Sequence, residues 1–476
     1  MKFGFAIVTL GLSLTTALAE GAQSVTVDCS KPLQTIEGWG SSLCWWASEV
    51  GKWKDEQKMD ELVECLTSPD KLNMNIFRYN IGGGDDPSHI GGHMVKGKGK
   101  RAEMEGFKAS ATAPYNWNAD AGQRKVMLKI RAKRPDLILE AFANSPPYWM
   151  TFSGCAAGNN PATQDNLKPE FYEPFCDYLL EVCKHYKKTY NVDFRTLEPF
   201  NESLTGYWNA LGSQEGCHFE PSTQAAIIRL LHAKLVKSGL RTQIAASDET
   251  SLSHFLKILN AYEKEGDIFP KIRQLNTHTY HGTAEERERV RQKIALLKKP
   301  FWQSETGPSG KESGLKNNLH LTQKLFDDMR LMQPIAWLDW QMMEEWNDTW
   351  CLFQGKFSSE NFRLVKNYYV RMQITRFFRQ QYRLATTDHP QCLAAVSPNG
   401  KRLAIALLNS DDTPKEWTIH VPALAAVAVE KISLLAWRTS GNENCDPIPF
   451  TLPARLHKFS TTTPAVSLTT IVINIQ

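Results

Sequence analysis

Two glutamates in this sequence have the surroundings that acid–base or nucleophilic chemistry requires. Asn201-Glu202 closes the run Phe194-Arg195-Thr196-Leu197-Glu198-Pro199-Phe200, and Glu305 closes Pro300-Phe301-Trp302-Gln303-Ser304. Each stands where a short apolar stretch of strand character stops and a polar loop begins. In a parallel α/β protein the strand C-termini share one face, so both carboxylates would face one cleft. Two carboxyl groups flanking a bond meet the requirement of glycoside hydrolysis. A neutral acid protonates the leaving oxygen, and an anion attacks or activates water.

The elements that must position them follow a repeating order. From about residue 36 to residue 380, short apolar strands alternate with amphipathic helices. Candidate strands lie around 37–43, 75–80, 137–142, 196–200, 243–247, 274–279, 301–304 and 335–340. Helical spacing follows several of them: Met59, Leu62, Val63 and Leu66; Phe175, Tyr178, Leu179, Val182 and Tyr186; Ile227, Leu230, Leu231 and Leu235. Ser222 is the expected N-cap of that last helix and Gly239 its C-cap. Eight strands with helices between them imply an α/β fold, a (β/α)₈ TIM barrel. The two glutamates are 103 residues apart. At about 30 or more residues per unit, that is three units, so they end strands four and seven.

Beyond residue 384 the helical period is lost. A hairpin with a type I′ turn is expected at Pro398-Asn399-Gly400, followed by further alternating runs. The organisation read from this is a barrel over 36–383 and a C-terminal side β-sandwich over 384–476. A strand within 20–35 joins that sandwich, because chain ends often meet. Residues 1–19 read as a cleaved export signal, with Lys2, an apolar core and Ala17-Leu18-Ala19. A secreted, periplasmic or cell-surface enzyme follows, with no stable membrane insertion. Cys155 and Cys217 are a candidate disulfide. Cys176 and Cys183 would lie about 10 Å apart along one helix, too far to pair with each other.

Reading the strand ends in order gives the candidate site. Arg78 ends strand two and can hold Glu305 anionic through a charge-assisted hydrogen bond. Asn201 is placed for a sugar 2-OH. Tyr280 can orient Glu305, with His278 beside it as a further sugar contact. Trp340, Trp149 and Trp39 offer flat apolar faces to a pyranose. Asp85 follows a glycine run and is either a sugar contact or a turn former. The Glu305 charge and an apolar wall would keep Glu202 protonated. The run 278–281 does not make a metal site, because a strand sends neighbours to opposite faces. No metal or organic cofactor is implied.

Taken in chain order, these motifs resemble glycoside hydrolase family 30. The carriers are Glu37-Gly38-Trp39-Gly40, Cys44-Trp45-Trp46-Ala47, Phe77-Arg78-Tyr79-Asn80-Ile81-Gly82-Gly83-Gly84-Asp85 and Ala143-Asn144-Ser145-Pro146-Pro147-Tyr148-Trp149-Met150. They continue with Glu198-Pro199-Phe200-Asn201-Glu202, Trp302-Gln303-Ser304-Glu305 and Trp337-Leu338-Asp339-Trp340. The Trp45-Trp46 pair, the glycines after Asn80 and Gln214-Glu215-Gly216-Cys217-His218-Phe219 look most like the endo-β-1,6-galactanase branch. The resemblance implies a retaining barrel enzyme with Glu202 as acid/base and Glu305 as nucleophile. Where that family commonly has Pro after the acid/base, this chain has Ser203.

Composition narrows the partners. A formal charge of +4 over 476 residues gives no concentrated basic footprint, and the basic run 96–101 reads as a solvated loop, so no nucleic-acid partner is expected. The expected partner is a polysaccharide or oligosaccharide, met by a monomer. The rivals are a β-1,6-glucanase, a xylanase and a β-glucosidase or glucosylceramidase. The rival of another class is a non-hydrolytic carbohydrate-binding protein.

Overall fold

The computed structural model describes residues 22–86, 103–308, 313–453, 455 and 457–476. The leader at 1–19 and the basic run at 96–101 lie outside them. A first strand, β1 (Gln23–Thr35), precedes eight parallel strands that close into a barrel. These are β2 (Gly38–Ser42), β3 (Ile76–Asn80), β4 (Ile138–Phe142), β5 (Thr196–Glu198), β6 (Gln243–Ser251), β7 (Ile272–His281), β8 (Phe301–Glu305) and β9 (Ala336–Asp339). β3 and β8 are buried at every position, as expected for parallel strands covered on both faces.

The helices bury the stripes their spacing marks out. Tyr172–Tyr190 buries Phe175, Tyr178, Leu179, Val182 and Tyr186. In the helix Pro221–Ser238, Gly239 closes the end with φ 74°, where a side chain would be strained. Ser222 is not the N-cap. Pro221 takes the first helical position, where its missing N–H costs nothing, so Glu220 becomes the cap.

The barrel lumen is polar where aliphatic layers are usual. Glu140 accepts from Arg78 Nε at 3.1 Å, Thr196 Oγ1 at 2.7 Å, Gln274 Nε2 at 3.1 Å and Asn276 Nδ2 at 3.0 Å. Arg78 also pairs with Asp248. These groups are fully buried, and each charge has a partner, which is the condition for tolerating it there.

After the barrel, the short strands β10 (Met343–Glu344), β11 (Phe353–Gln354) and β12 (Arg363–Leu364) form a small sheet. The side unit contains β13 (Arg383–Thr387), β14 (Cys392–Val396), β15 (Arg402–Asn409), β16 (Lys415–His420), β17 (Ile432–Thr439), β18 (Asn444–Ile448), β19 (Lys458–Thr463) and β20 (Ser467–Ile475). With β1 they make one sheet, ordered β18-β17-β20-β15-β14-β13-β1-β16-β19. It curls so that Trp417, Ile419 and Phe459 near one end share a core with Ile405, Ile471 and Ile473. β1 runs antiparallel to β13 and parallel to β16.

The β14–β15 hairpin does not carry a type I′ turn. Of Pro398, Asn399 and Gly400, only Gly400 has positive φ, at 71°, and its N–H donates to Ser397 O at 2.9 Å. That is a type I turn with Pro398 at its favoured position, closed by a glycine bulge. Nor do Cys155 and Cys217 pair. Each thiol contacts a backbone carbonyl, Ala210 O and His218 O respectively, both at 3.4 Å, and all ten cysteines are free.

Candidate active site

Glu305 is the last residue of β8, so the strand fixes it directly. Glu202 lies four residues beyond β5, in a loop whose backbone must turn sharply to aim it inward. Its φ is 52°, in the left-handed region that costs a non-glycine residue about 1–2 kcal/mol. Three contacts hold that conformation. Glu202 N–H donates to Asp248 O at 2.7 Å, Trp208 Nε1 donates to Glu202 O at 3.0 Å, and Thr205 N–H donates to the same carbonyl at 3.1 Å. Asp248 is itself left-handed, with φ 52°. Left-handed residues paired in this way, one in the loop after β5 and one within β6, are the kind of backbone strain that clusters at functional sites.

The two carboxyl groups meet. An oxygen of each, with a nitrogen of His278, forms a trio whose atoms all lie within 4.8 Å of one another. His278 Nδ1 is 2.9 Å from Glu202 Oε1 and 3.7 Å from Glu305 Oε1, and its Nε2 is 3.6 Å from Asp248. Burial alone would push this imidazole down. Glu305, Asp248 and Glu202 outweigh burial, and His278 is pushed up to about 10. It is therefore an imidazolium that donates to Glu202. The trio has the spacing of a cation site, and its histidine nitrogen is engaged by both carboxylates.

Arg78 Nη1 reaches Glu305 Oε2 at 3.4 Å, and Tyr280 Oη donates to Glu305 Oε1 at 3.0 Å. Arg78 lowers the Glu305 carboxyl, as expected, but burial outweighs it. Burial lifts the Glu305 carboxyl above its ordinary range and the Glu202 charge adds to it, while His278 and Arg78 oppose. Arg78 is also shared with Glu140 and Asp248, so its charge is divided. Asp248 is held low despite its burial, by Arg78, His278 and Ser304.

A cavity of about 710 Å³ opens over the pair. Asn201, Tyr280 and Trp340 line it with both glutamates. Asn201 Oδ1 is buried without a hydrogen-bond partner, an acceptor available to a ligand hydroxyl. The other sequence candidates lie elsewhere. His278 is fully enclosed beneath the carboxylates and does not line the cavity. Trp39 packs in the core and donates from Nε1 to Phe378 O at 2.6 Å. Trp149 Nε1 donates to Lys108 O at 2.8 Å, with its ring edge-on to Phe171. Asp85 accepts from the next N–H, of Asp86, at 2.9 Å, as a turn former does. Trp39→Ala should therefore cost about 3–5 kcal/mol of stability. Urea unfolding will show this loss, and the KM for saccharide will stay put; a raised KM at unchanged stability would return Trp39 to the cavity.

Sequence reasoning missed several lining residues. Trp45 stands edge-on to Trp340, with ring centres 5.1 Å apart, and completes an aromatic wall. Tyr207 donates its hydroxyl to Glu202 Oε2. Glu215 accepts from Asn80 Nδ2 and Gly83 N, both at 2.9 Å, and burial pushes it up to about 8. Trp45 and Glu215 stand inside motifs that the sequence makes conspicuous. Tyr207 sits in an aperiodic loop, with no local signal to find it.

Comparison with known proteins identifies the family. The family described as O-Glycosyl hydrolase family 30 matches residues 22–349. An endo-beta-1,6-galactanase of Hypocrea rufa is 29% identical over 417 residues, covering 84% of this chain and 84% of that protein. An exo-beta-1,6-galactobiohydrolase of Bifidobacterium longum subsp. longum is 25% identical over 429 residues, 69% of this chain; the match spans 28% of that longer protein. Among solved structures, a conserved exported protein from Bacteroides fragilis superposes with a TM-score of 0.80 at 17% identity, over 94% of this chain and 100% of that one.

Proposed function

Because this chain belongs to O-glycosyl hydrolase family 30, we propose that it is a retaining endo-β-1,6-galactanase acting on galactan or arabinogalactan side chains. Glu305 is its nucleophile and Glu202 its acid/base. The observation that carries the mechanism is the approach of the two carboxyl groups to within 4.8 Å. Retaining glycosidases hold their carboxyl groups about 5–5.5 Å apart, whereas inverting ones leave about 6.5–9.5 Å for a water.

In the first step a Glu305 oxygen attacks the anomeric carbon while Glu202 gives its proton to the departing glycosidic oxygen. A covalent glycosyl ester forms on Glu305. In the second step Glu202, now anionic, takes a proton from water as that water attacks the same carbon and frees Glu305. The first step needs one of the two carboxyl groups, Glu202, to carry a proton and the other, Glu305, to be ionised. Arg78 and His278 supply the positive charge that keeps the other group ionised. Asn201 accepts from the sugar 2-OH, a contact that strengthens as the ring flattens toward the oxocarbenium ion. The Trp45 and Trp340 wall packs on the sugar's C–H face.

The linkage rests on the two β-1,6-galactan-acting relatives. The domain reading places the barrel at 36–383 and the side unit at 384–476, with 20–35 joined to the latter, in an exported, monomeric enzyme. Reducing-sugar release from de-arabinosylated arabinogalactan, pustulan and xylan tests the substrate. The galactan should be cut far faster than the others; cutting of pustulan alone rejects the galactan. Early products followed by NMR should carry the β-anomer, and an initial α-anomer would overturn retention.

A further inference from the structure

Both oxygens of the acid/base glutamate are engaged by neighbouring side chains. His278 holds Oε1 at 2.9 Å, and the Tyr207 hydroxyl donates to Oε2. A general acid must present a protonated oxygen to the glycosidic oxygen, so one of these contacts has to open. His278 is fully buried and pinned by three carboxylates. Tyr207 differs. Its residue is 48% exposed, on the loop after β5, with its hydroxyl turned inward to Glu202. Its ring meets Trp208 edge-on, with centres 4.4 Å apart, and both line the cavity.

We propose that Tyr207 caps the acid/base Oε2 until substrate arrives, gives that place to the glycosidic oxygen, and then forms the platform under the leaving-group sugar. The inference rests on the assignment of Glu202 above. No bond to carbon is involved in the exchange. The Tyr207 O–H···Oε2 bond breaks, Oε2 takes a proton from solvent, and that O–H donates to the glycosidic oxygen. Tyr207 is thus a positioning residue whose ring supplies selectivity for a sugar over a small leaving group.

Tyr207→Phe and Tyr207→Ala separate the two roles. The groups facing Glu202 are His278, Glu305, Tyr280, Glu249 and His254, and both substitutions leave them in place. The tyrosine hydroxyl favours the anionic carboxylate. Its loss in Tyr207→Phe should therefore move the alkaline limb of the kcat/KM profile to higher pH, by on the order of one unit. Tyr207→Ala also removes the platform. KM for a galacto-oligosaccharide should rise about tenfold, with a smaller change for a glycosyl fluoride, which has no leaving sugar. A Tyr207→Phe profile that coincides with the parent's, or an equal KM change for both substrates, overturns the proposal. Parent activity on a different β-glycan rejects the galactan reading alone, and both comparisons are then made on that glycan.

Discussion

Glu305→Ala should lower kcat by on the order of 10⁵-fold, because the carboxylate that bonds to the anomeric carbon has no substitute in the site. Neighbouring Asp248 cannot take over. It is enclosed and committed to Arg78, Ser304 and His278. Saccharide affinity, read by titration calorimetry, should stay within about threefold of the parent, since the aromatic wall and Asn201 remain. Turnover within tenfold of the parent would remove Glu305 from the reaction. The same variant addresses the rival of another class: a non-hydrolytic binding protein would show no turnover before the substitution, and no change after it.

Glu202→Ala carries the second large effect. General acid catalysis contributes about 10²–10⁴-fold, and that is the loss expected on a galactan, whose leaving group is a poor one. On an aryl glycoside with an acidic phenol the first step needs little protonation. There the ester on Glu305 should accumulate, and added azide should release it as a β-glycosyl azide. An α-azide, or no rescue at all, would assign the acid/base role elsewhere. Removing Glu202 also leaves His278 with one carboxylate fewer around its charge. A calorimetric control on the folded variant therefore belongs with the kinetics.

The sequence exposed the barrel more clearly than the site. Short strands buried on both faces read as continuous apolar runs, and each expected strand has a counterpart among β2–β9. Arg78, Asn201, Tyr280, Trp340 and the two glutamates were legible because strand ends in a parallel barrel point to one face. Trp39 shows the limit of that rule. It stands near the start of β2, where alternation decides between lumen and outer layer, and its indole is turned toward Phe378. His278 and Tyr280 also share a strand. The two-residue step carries Tyr280 to the cavity and leaves His278 under the carboxylates, a depth no pattern encodes. Tyr207 depends on how a loop folds back after β5; Gly206 and Gly212 mark turns there but not where the tyrosine ring is aimed. The polar lumen was half visible: Glu140, Gln274 and Asn276 interrupt strands that should be apolar, and only pairing across the barrel explains them.

The place of β1 in the side sheet sets a timetable for biosynthesis. Its partners are far downstream: Thr26 N–H, for instance, donates to the Asp388 side chain just past β13, 362 residues further along. At a ribosomal rate of roughly 5–20 residues per second, the segment waits roughly 20–70 s for its neighbours to be made. All that time it presents two unpaired edges, the kind of surface on which nascent chains aggregate. Slower translation lengthens the wait, so yield in a foreign host should depend on holding chaperones and on how quickly the ribosome reaches the final strands.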